Sequence, residues 1–342
     1  MLISRRNPSQ TSHPDLFQEI VGPLKPAFAS LEVFLEEQVS TFESEVQPLV
    51  KYCFGHSGKK LRPILVFAMA AEDPDQPLNP SVVQAAAIVE LVHLATLVHD
   101  DILDGAEVRH RTQTVVARHN PHVAVLLGDT LFAHALHLAA GFSNVEICRS
   151  VSMATRQVCS GEIAQTFARG EAVPDTEAYY RIIDLKTAEL FSVSAYLGGL
   201  LSGFNPEALA AARAYARHLG NAYQIYDDAA DIFGRESQAG KTLGTDLATG
   251  KYTLPVLSWL DGHVGTEREA ARQLLEEDGF SGEVLRERLL QDGVLGNVRA
   301  AFFEQIDFAR NVLKEIPGDY RKASLGRLAD FVESAWNKFS IR

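Results

Sequence analysis

The sequence predicts an all-α fold, and three observations carry that expectation. Segments 16–42, 80–104 and 205–233 are long, rich in Ala and Leu, and place apolar residues at the spacing of one helix face. Period-two strand patterns are scarce, and no strand–helix alternation appears. Short punctuators, EDPDQPLNP, HNP, SGFNP and EIPGD, separate the helical stretches.

Taken in order, residues 1 to about 14 are polar with two prolines and read as a flexible tail. The first long helix follows. The second is expected to start near Ser81, a candidate N-cap after Pro80, and is apolar nearly all round, as a central helix is. The third closes with YDDAAD at 226–231, an echo of HDDILD at 99–104. A length of 342 residues alone suggests two domains. Two matching acidic stations are most useful facing each other, so residues 15–342 are expected to form one domain.

Composition narrows the function. With 32 basic and 44 acidic side chains the formal charge is −12, which argues against nucleic-acid or anionic-membrane binding. An anionic ligand would need a local cluster of cations or a metal. Three widely spaced cysteines with no CxxC pair, an N-terminus without an apolar signal core, and no uninterrupted apolar run long enough to span a membrane point to a cytoplasmic protein.

The acidic stations are the informative feature. Glu90, His93, Thr96, Asp100, Asp101 and Asp104 fall within about 140° of helix circumference, a single polar stripe on an apolar helix. Asn221, Gln224, Asp227, Asp228 and Asp231 fall within about 120° by the same arithmetic. One such station would read as a solvated helix end; two, each on an apolar helix, call for cations. Hard divalent ions with oxygen ligands suit six carboxylates, and Mg²⁺ suits best where phosphate oxygens complete its shell. An EF-hand lacks its loop spacing here, and His119/His122 and His134/His137 lack partners at a zinc spacing.

Cations cluster beside the stations. Lys59, Lys60 and Arg62 lie on a glycine-led turn entering a helix; Arg109, His110 and Arg111 follow the first aspartates. Lys186 and Thr187 lie in another helix, and Lys241 and Lys251 in a Gly-rich stretch after the second aspartates. Arg offers phosphate a fork and Lys a point charge. GRESQAGKT at 234–242 imitates a nucleotide P-loop but has one residue too many and follows a helix.

SGKKLRP, HLATLVHDDILD, KTAELF, GNAYQIYDDAAD and GKTLGTDLATGKYTLP, in that order, resemble the motifs of the trans-prenyltransferases of the polyprenyl diphosphate synthase family. The similarity runs from about Lys59 to Pro255, with a weaker match in LGRLADFVESAW. The resemblance implies the isoprenoid synthase fold, with long helices around a central cavity, as a homodimer. It also implies a reaction: an allylic diphosphate loses pyrophosphate, and the carbocation alkylates isopentenyl diphosphate. By the same resemblance Asp100, Asp104 and Asp227 are the principal Mg²⁺ ligands, with Asp101, Asp228 and Asp231 in support and three ions in the loaded site. Arg109, Lys186, Thr187, Gln224, Lys241 and Lys251 would hold the allylic diphosphate; Lys59, Arg62, His93 and His110 would hold isopentenyl diphosphate.

In this family, aromatics four and five residues before the first aspartate stop the growing chain. Here those positions are Thr96 and Ala95, and Val92, Leu91, Val89 and Ile88 lie deeper. From Asp100 to Ile88 the helix wall is about 18 Å long, so a product of twenty carbons or more is expected, unless Phe132 or Phe191 closes the path. The competing readings are a farnesyl- or geranylgeranyl-length synthase, a class I terpene cyclase, and a noncatalytic regulatory partner of a prenyl synthase. A cyclase has no use for Lys59, Arg62 and His93, and a regulatory partner would have eroded aspartates.

His110 departs from the family, which has a second Arg there. Histidine is only partly charged near neutrality and has no fork. His110→Arg is therefore expected to lower the Michaelis constant for isopentenyl diphosphate. Initial rates at several pH values check this, and an unchanged constant throughout counts against it.

Overall fold

The computed structural model describes residues 13–55, 58–109, 112–169, 175–234, 244–276, 282–337 and 339. It is helical almost throughout. In chain order the helices that build the site are α1 (His13–Val39), α2 (Gln47–Phe54), α3 (Leu61–Ala70), α4 (Pro80–Leu103), α5 (Val115–Arg118), α6 (Pro121–Ala140), α7 (Val145–Ala168), α8 (Thr176–Ile183), α9 (Glu189–Leu201) and α10 (Pro206–Phe233). A π-helical turn, Asp184–Ala188, joins α8 to α9. Six further α-helices, the last two Val294–Val312 and Asp319–Trp336, complete the described chain. The tail expected over residues 1–14 lies outside the described residues up to residue 12; His13 and Pro14 belong to α1.

The helix starts follow from three Asn-Pro pairs. Asn79, Asn120 and Asn205 are the N-caps of α4, α6 and α10, each side chain accepting from a backbone N–H of the first turn, with Pro at the first helical position. Proline has no N–H to leave unsatisfied there and its φ is preset for a helix. The cap of α4 is therefore Asn79; Ser81, expected in that role, supplies the N–H that Asn79 accepts.

α4 is the central helix. Its side chains are buried on nearly every face, Glu90 and Asp101 included. It packs on α1, α3, α6 and α9, while α9 also packs on α10. α9 thus stands between the two helices that carry the acidic stations. By length and hydropathy both α4 and α6 reach the requirement for a membrane span, which the sequence reading had not anticipated. α4 meets it as a buried core helix. α6 splits its apolar residues between a buried face, with Leu127, Leu131 and Ala135, and an outer face, with Val125 and Leu126 exposed.

One departure from all-helix has a local purpose. Val108–Arg109 pairs antiparallel with Thr112–Gln113. The ribbon is tied down by Tyr52, whose hydroxyl donates to the Gln113 carbonyl at 2.6 Å, and by Thr114, which donates to the Ala106 carbonyl at 2.6 Å. It turns Arg109 back towards the end of α4.

Candidate active site

The first station sits at the C-terminal end of α4, and its three aspartates have three different environments. Asp101 is buried and accepts from Arg109 Nε at 2.7 Å. Asp104, the C-cap of α4, takes two cations on Oδ1: Lys251 Nζ at 2.8 Å and Arg169 Nη2 at 2.8 Å. Asp100 lies 3.9 Å from Lys186 Nζ. Burial pushes the Asp100 carboxyl up to about 6, with Lys186 only partly opposing it. Burial acts upward on Asp104 too, but the hydrogen bonds from Lys251 and Arg169 outweigh it and hold that carboxyl below the ordinary range.

The second station, near the end of α10, is a buried hydrogen-bond chain. Tyr179, on α8, donates to Asp228 Oδ2 at 2.6 Å, and Gln224 Nε2 donates to Asp228 Oδ1 at 2.8 Å. Thr187 Oγ1 in turn donates to Gln224 Oε1 at 2.8 Å. Burial drives the Asp228 carboxyl up to about 8, with Asp246 adding to the rise. Asp231, also buried, accepts from the Asp246 backbone N–H at 3.2 Å, and Asp227 is half-buried beside Asp228.

The two stations are joined through the residues between them. Lys251, 2.8 Å from Asp104, is 3.9 Å from Asp246, whose N–H meets Asp231. A second link runs through adjacent residues of the π turn: Lys186 faces Asp100 of the first station, and Thr187 reaches Gln224 of the second. Two glycines make room for that turn. A Cβ at Gly161 of α7 would lie 2.7 Å from the Lys186 backbone N, and one at Gly220 of α10 would lie 2.8 Å from the Ala188 Cα. The turn is clasped between the two helices at glycines that leave room for its backbone. π turns recur at functional sites because the extra residue redirects neighbouring side chains.

The remaining sequence candidates lie at the α3 end. Lys60 caps α3 in the left-handed region, at φ 53° and ψ 42°, unusual for a residue with a Cβ. Past that bend Arg62 is largely buried, its guanidinium 4.9 Å above the Phe191 ring. Burial lowers the Arg62 guanidinium to about 10, opposed by Glu90, Tyr223 and Asp100 nearby. Lys59 is exposed, with its ammonium 5.2 Å above the ring of Phe331 in Asp319–Trp336. His93 is half-buried on α4. His110, Arg111 and Lys241 lie outside the described residues.

Several site residues escaped sequence reading. Glu162 forms an ion pair with Lys186, and Gln165 Oε1 accepts from Lys186 Nζ at 2.8 Å. Their i, i+3 spacing in SGEIAQ on α7 was the available signal. Asp246 lies inside GKTLGTDLATGKYTLP, where the two lysines carry the phosphate signal and a single acid does not stand out. Tyr179 and Arg169 stand in no distinctive pattern. Among the described residues no three acids converge on a single point; Asp100, Asp101, Asp104, Asp228 and Asp231 each meet a cation or a donor instead. The donor set is nonetheless all oxygen, which suits Mg²⁺ completed by phosphate oxygens.

The chain is similar to known proteins over most of its length. The family model described as polyprenyl synthetase matches residues 43–291. An all-trans-nonaprenyl-diphosphate synthase (geranyl-diphosphate specific) of Rhodobacter capsulatus is 32% identical, over 92% of this chain and 98% of its own length. An octaprenyl diphosphate synthase of Escherichia coli is 30% identical, over 87% and 93%. The crystal structure of a polyprenyl synthase from Caulobacter crescentus complexed with calcium and isoprenyl diphosphate superposes with a TM-score of 0.84. It is 28% identical and covers 93% of this chain and 97% of that one.

The buried Asp228 gives a pH prediction. Its folded value, about 8, lies above the roughly 3.9 of an unfolded aspartate. The folded protein therefore holds the extra proton between those values. Stability from this group is complete below about pH 4 and is lost as pH rises towards 8. Asp228→Asn removes the titration, so with EDTA present the variant's melting temperature should gain on the wild type from pH 5 to pH 9. A difference that stays constant with pH would show that Asp228 does not titrate in this way.

Proposed function

The chain belongs to the polyprenyl synthetase family, and we propose that it is a trans-polyprenyl diphosphate synthase that extends an allylic diphosphate with isopentenyl diphosphate. The observation that carries this reading is the pair of acid stations bridged by Lys251 and by the Lys186–Thr187 turn. Such a site holds metal-bound diphosphate between acids that take the metal and cations that take the phosphate. The calcium and isoprenyl diphosphate named in the Caulobacter crescentus complex are consistent with that chemistry. Residues 15–342 are read as one domain and the protein as cytoplasmic.

Asp100, Asp104 and Asp227 are the proposed principal ligands of Mg²⁺, with three ions in the loaded site and Asp101, Asp228 and Asp231 supporting. Bound Mg²⁺ supplies Lewis-acid stabilisation of the departing pyrophosphate. The chain's own residues do the rest. Lys186, Lys251 and Arg109, which meet aspartates here, place positive charge where the leaving group gains negative charge; Lys241 is assigned with them from its motif. Thr187 and Gln224 orient that group, and their link to Asp228 sets Gln224's amide. Lys59, Arg62, His93 and His110 hold isopentenyl diphosphate. The apolar remainder of α4 keeps out water that would quench the carbocation.

The growing tail is proposed to run beside α4. Ala95, Val92, Leu91, Val89 and Ile88 are buried and none is aromatic. The two candidate plugs pack on other side chains: Phe132 lies 5.6 Å from the His99 ring, and Phe191 lies 5.9 Å from Tyr223 and under Arg62. This supports a product of at least twenty carbons, and the octaprenyl and nonaprenyl synthases among the relatives favour still longer chains. The outer faces of α6 and α7 expose Val125, Leu126, Met153, Ile163 and Phe167. An exposed apolar surface of this kind fits a partner, and a second copy of the chain is the proposed one.

The test combines purified protein, Mg²⁺, labelled isopentenyl diphosphate and each of dimethylallyl, geranyl and farnesyl diphosphate, with dephosphorylated products sized by mass spectrometry. A ladder passing twenty carbons is expected. A stop at fifteen or twenty would favour the short-chain reading, and no turnover with any primer the regulatory one. Ala95→Phe should shorten the dominant product by inserting a ring into the wall; an unchanged ladder would move the tail path away from α4. Asp100→Ala should lower kcat by about 10²–10³.

A further inference from the structure

Arg169 follows the last residue of α7, and no motif assigns it a task. Its guanidinium grips the end of α4 twice: Nη2 donates to Asp104 Oδ1 at 2.8 Å, and Nη1 donates to the Leu103 carbonyl at 3.1 Å. Leu103 is the last residue of α4 and Asp104 its C-cap. One side chain therefore fixes both the backbone at the helix end and the carboxylate that projects from it. The bond to the Leu103 carbonyl lies at the surface, while the ion pair is sheltered, with side-chain exposures of 18% for Arg169 and 26% for Asp104. That separates it from exposed ion pairs that hold nothing in place.

Lys251 shares Oδ1 but is held differently. Its other charged neighbour is the Asp246 carboxylate at 3.9 Å, and it follows Gly250, at φ 72°. Lys251 has carboxylate partners on both sides and can exchange them for a phosphate. Arg169 is anchored to a helix carbonyl, which arrival of a ligand does not alter. With both cations on Oδ1, the plane of the Asp104 carboxylate is set, and among the described residues Oδ2 is the oxygen left for a metal.

We propose that Arg169 is a positioning residue: through its anchor on the end of α4 it holds the Asp104 carboxylate in the orientation that presents Oδ2 to a divalent cation, and it stays there when Lys251 turns to the diphosphate. The inference rests on the reading of Asp104 as a metal ligand. It differs from a charge-neutralising role in requiring the fork. A lysine at 169 keeps the charge but cannot make the planar double contact to the carboxylate and the carbonyl.

The test uses full-length Arg169→Gln and Arg169→Lys, with Asp104→Asn as control. Binding of inorganic pyrophosphate is measured by calorimetry across a Mg²⁺ titration, and initial rates are measured against Mg²⁺ at saturating substrates. Loss of an outer partner of a metal ligand commonly costs ten- to a hundredfold in metal affinity. Both variants should therefore need about tenfold more Mg²⁺ at half-saturation in the binding and rate measurements, with the Michaelis constant for isopentenyl diphosphate unchanged. Melting in EDTA reports whether each variant is folded, and Arg169→Lys keeps the test open should the glutamine variant misfold. An unchanged Mg²⁺ midpoint, a lowered one, or wild-type behaviour of Arg169→Lys each overturns the proposal; the second would make Arg169 a competitor of the metal, the third a mere charge. If the Arg169 midpoints do not move while Asp104→Asn does shift, the positioning role fails and the metal-ligand reading stands. If Asp104→Asn also leaves the midpoint in place, both fall together.

Discussion

The structure depends on one electrostatic constraint: carboxylates set in apolar helix walls must be neutralised where they stand. A buried carboxylate without a partner is too costly to keep ionised. The molecule meets that demand in two ways. Asp101 and Asp104 receive guanidinium and ammonium groups directly, and Asp104 is held below the ordinary carboxylate range as a result. Asp228 receives neutral donors from Tyr179 and Gln224, and its carboxyl is pushed upward. Much of the surrounding architecture delivers those partners. The ribbon at Val108–Arg109 returns Arg109, the end of α7 brings Arg169, and the segment after Thr245–Ala248 brings Lys251.

The placement of Lys186 and Thr187 shows how local backbone geometry serves that demand. In a regular helix adjacent side chains diverge by about 100°. The π turn carries the pair between α7 and α10, with Gly161 and Gly220 allowing backbone-to-backbone approach on either side. Lys186 can then face the first station while Thr187 joins the chain to the second. Widening either glycine would displace the turn's backbone rather than a flexible side chain, because the nearest atoms are the Lys186 N and the Ala188 Cα.

Much of this was legible in the sequence. The central helix and both acidic stripes follow from periodicity, and the helix carrying the second station spans 206–233 against an expected 205–233. The Asn-Pro starts were visible as punctuation, although the cap of α4 was sought at Ser81 when Asn79 has the better position, immediately before proline. The stripe did not reveal that Asp100, Asp101 and Asp104 would differ, since periodicity gives direction and not partners. Arg169 and Tyr179 come from helices distant in sequence, and single residues without a repeat carry no periodic signal. The π turn was hidden because KTAELF has the composition of an ordinary helix, and only its packing against two glycines sets it apart.

The arrangement also accounts for a chain of formal charge −12 using an anionic ligand. Among the described residues these cations are matched to acids: Lys186 to Glu162 and Asp100, Lys251 to Asp104 and Asp246, Arg109 to Asp101. Under the proposed chemistry diphosphate enters with divalent ions, and partners are exchanged. Acids that lysines neutralise here would hold the metal, and the lysines would be free to meet the phosphate oxygens. An exchange of that kind would give each displaced lysine a new partner, so it would leave no bare buried charge at those positions. Free diphosphate without metal would meet six aspartates as well as the cations. The same acids that make metal-bound diphosphate welcome therefore disfavour the metal-free anion, and specificity for the complex comes from the pairing of opposite charges that the two helices bring together.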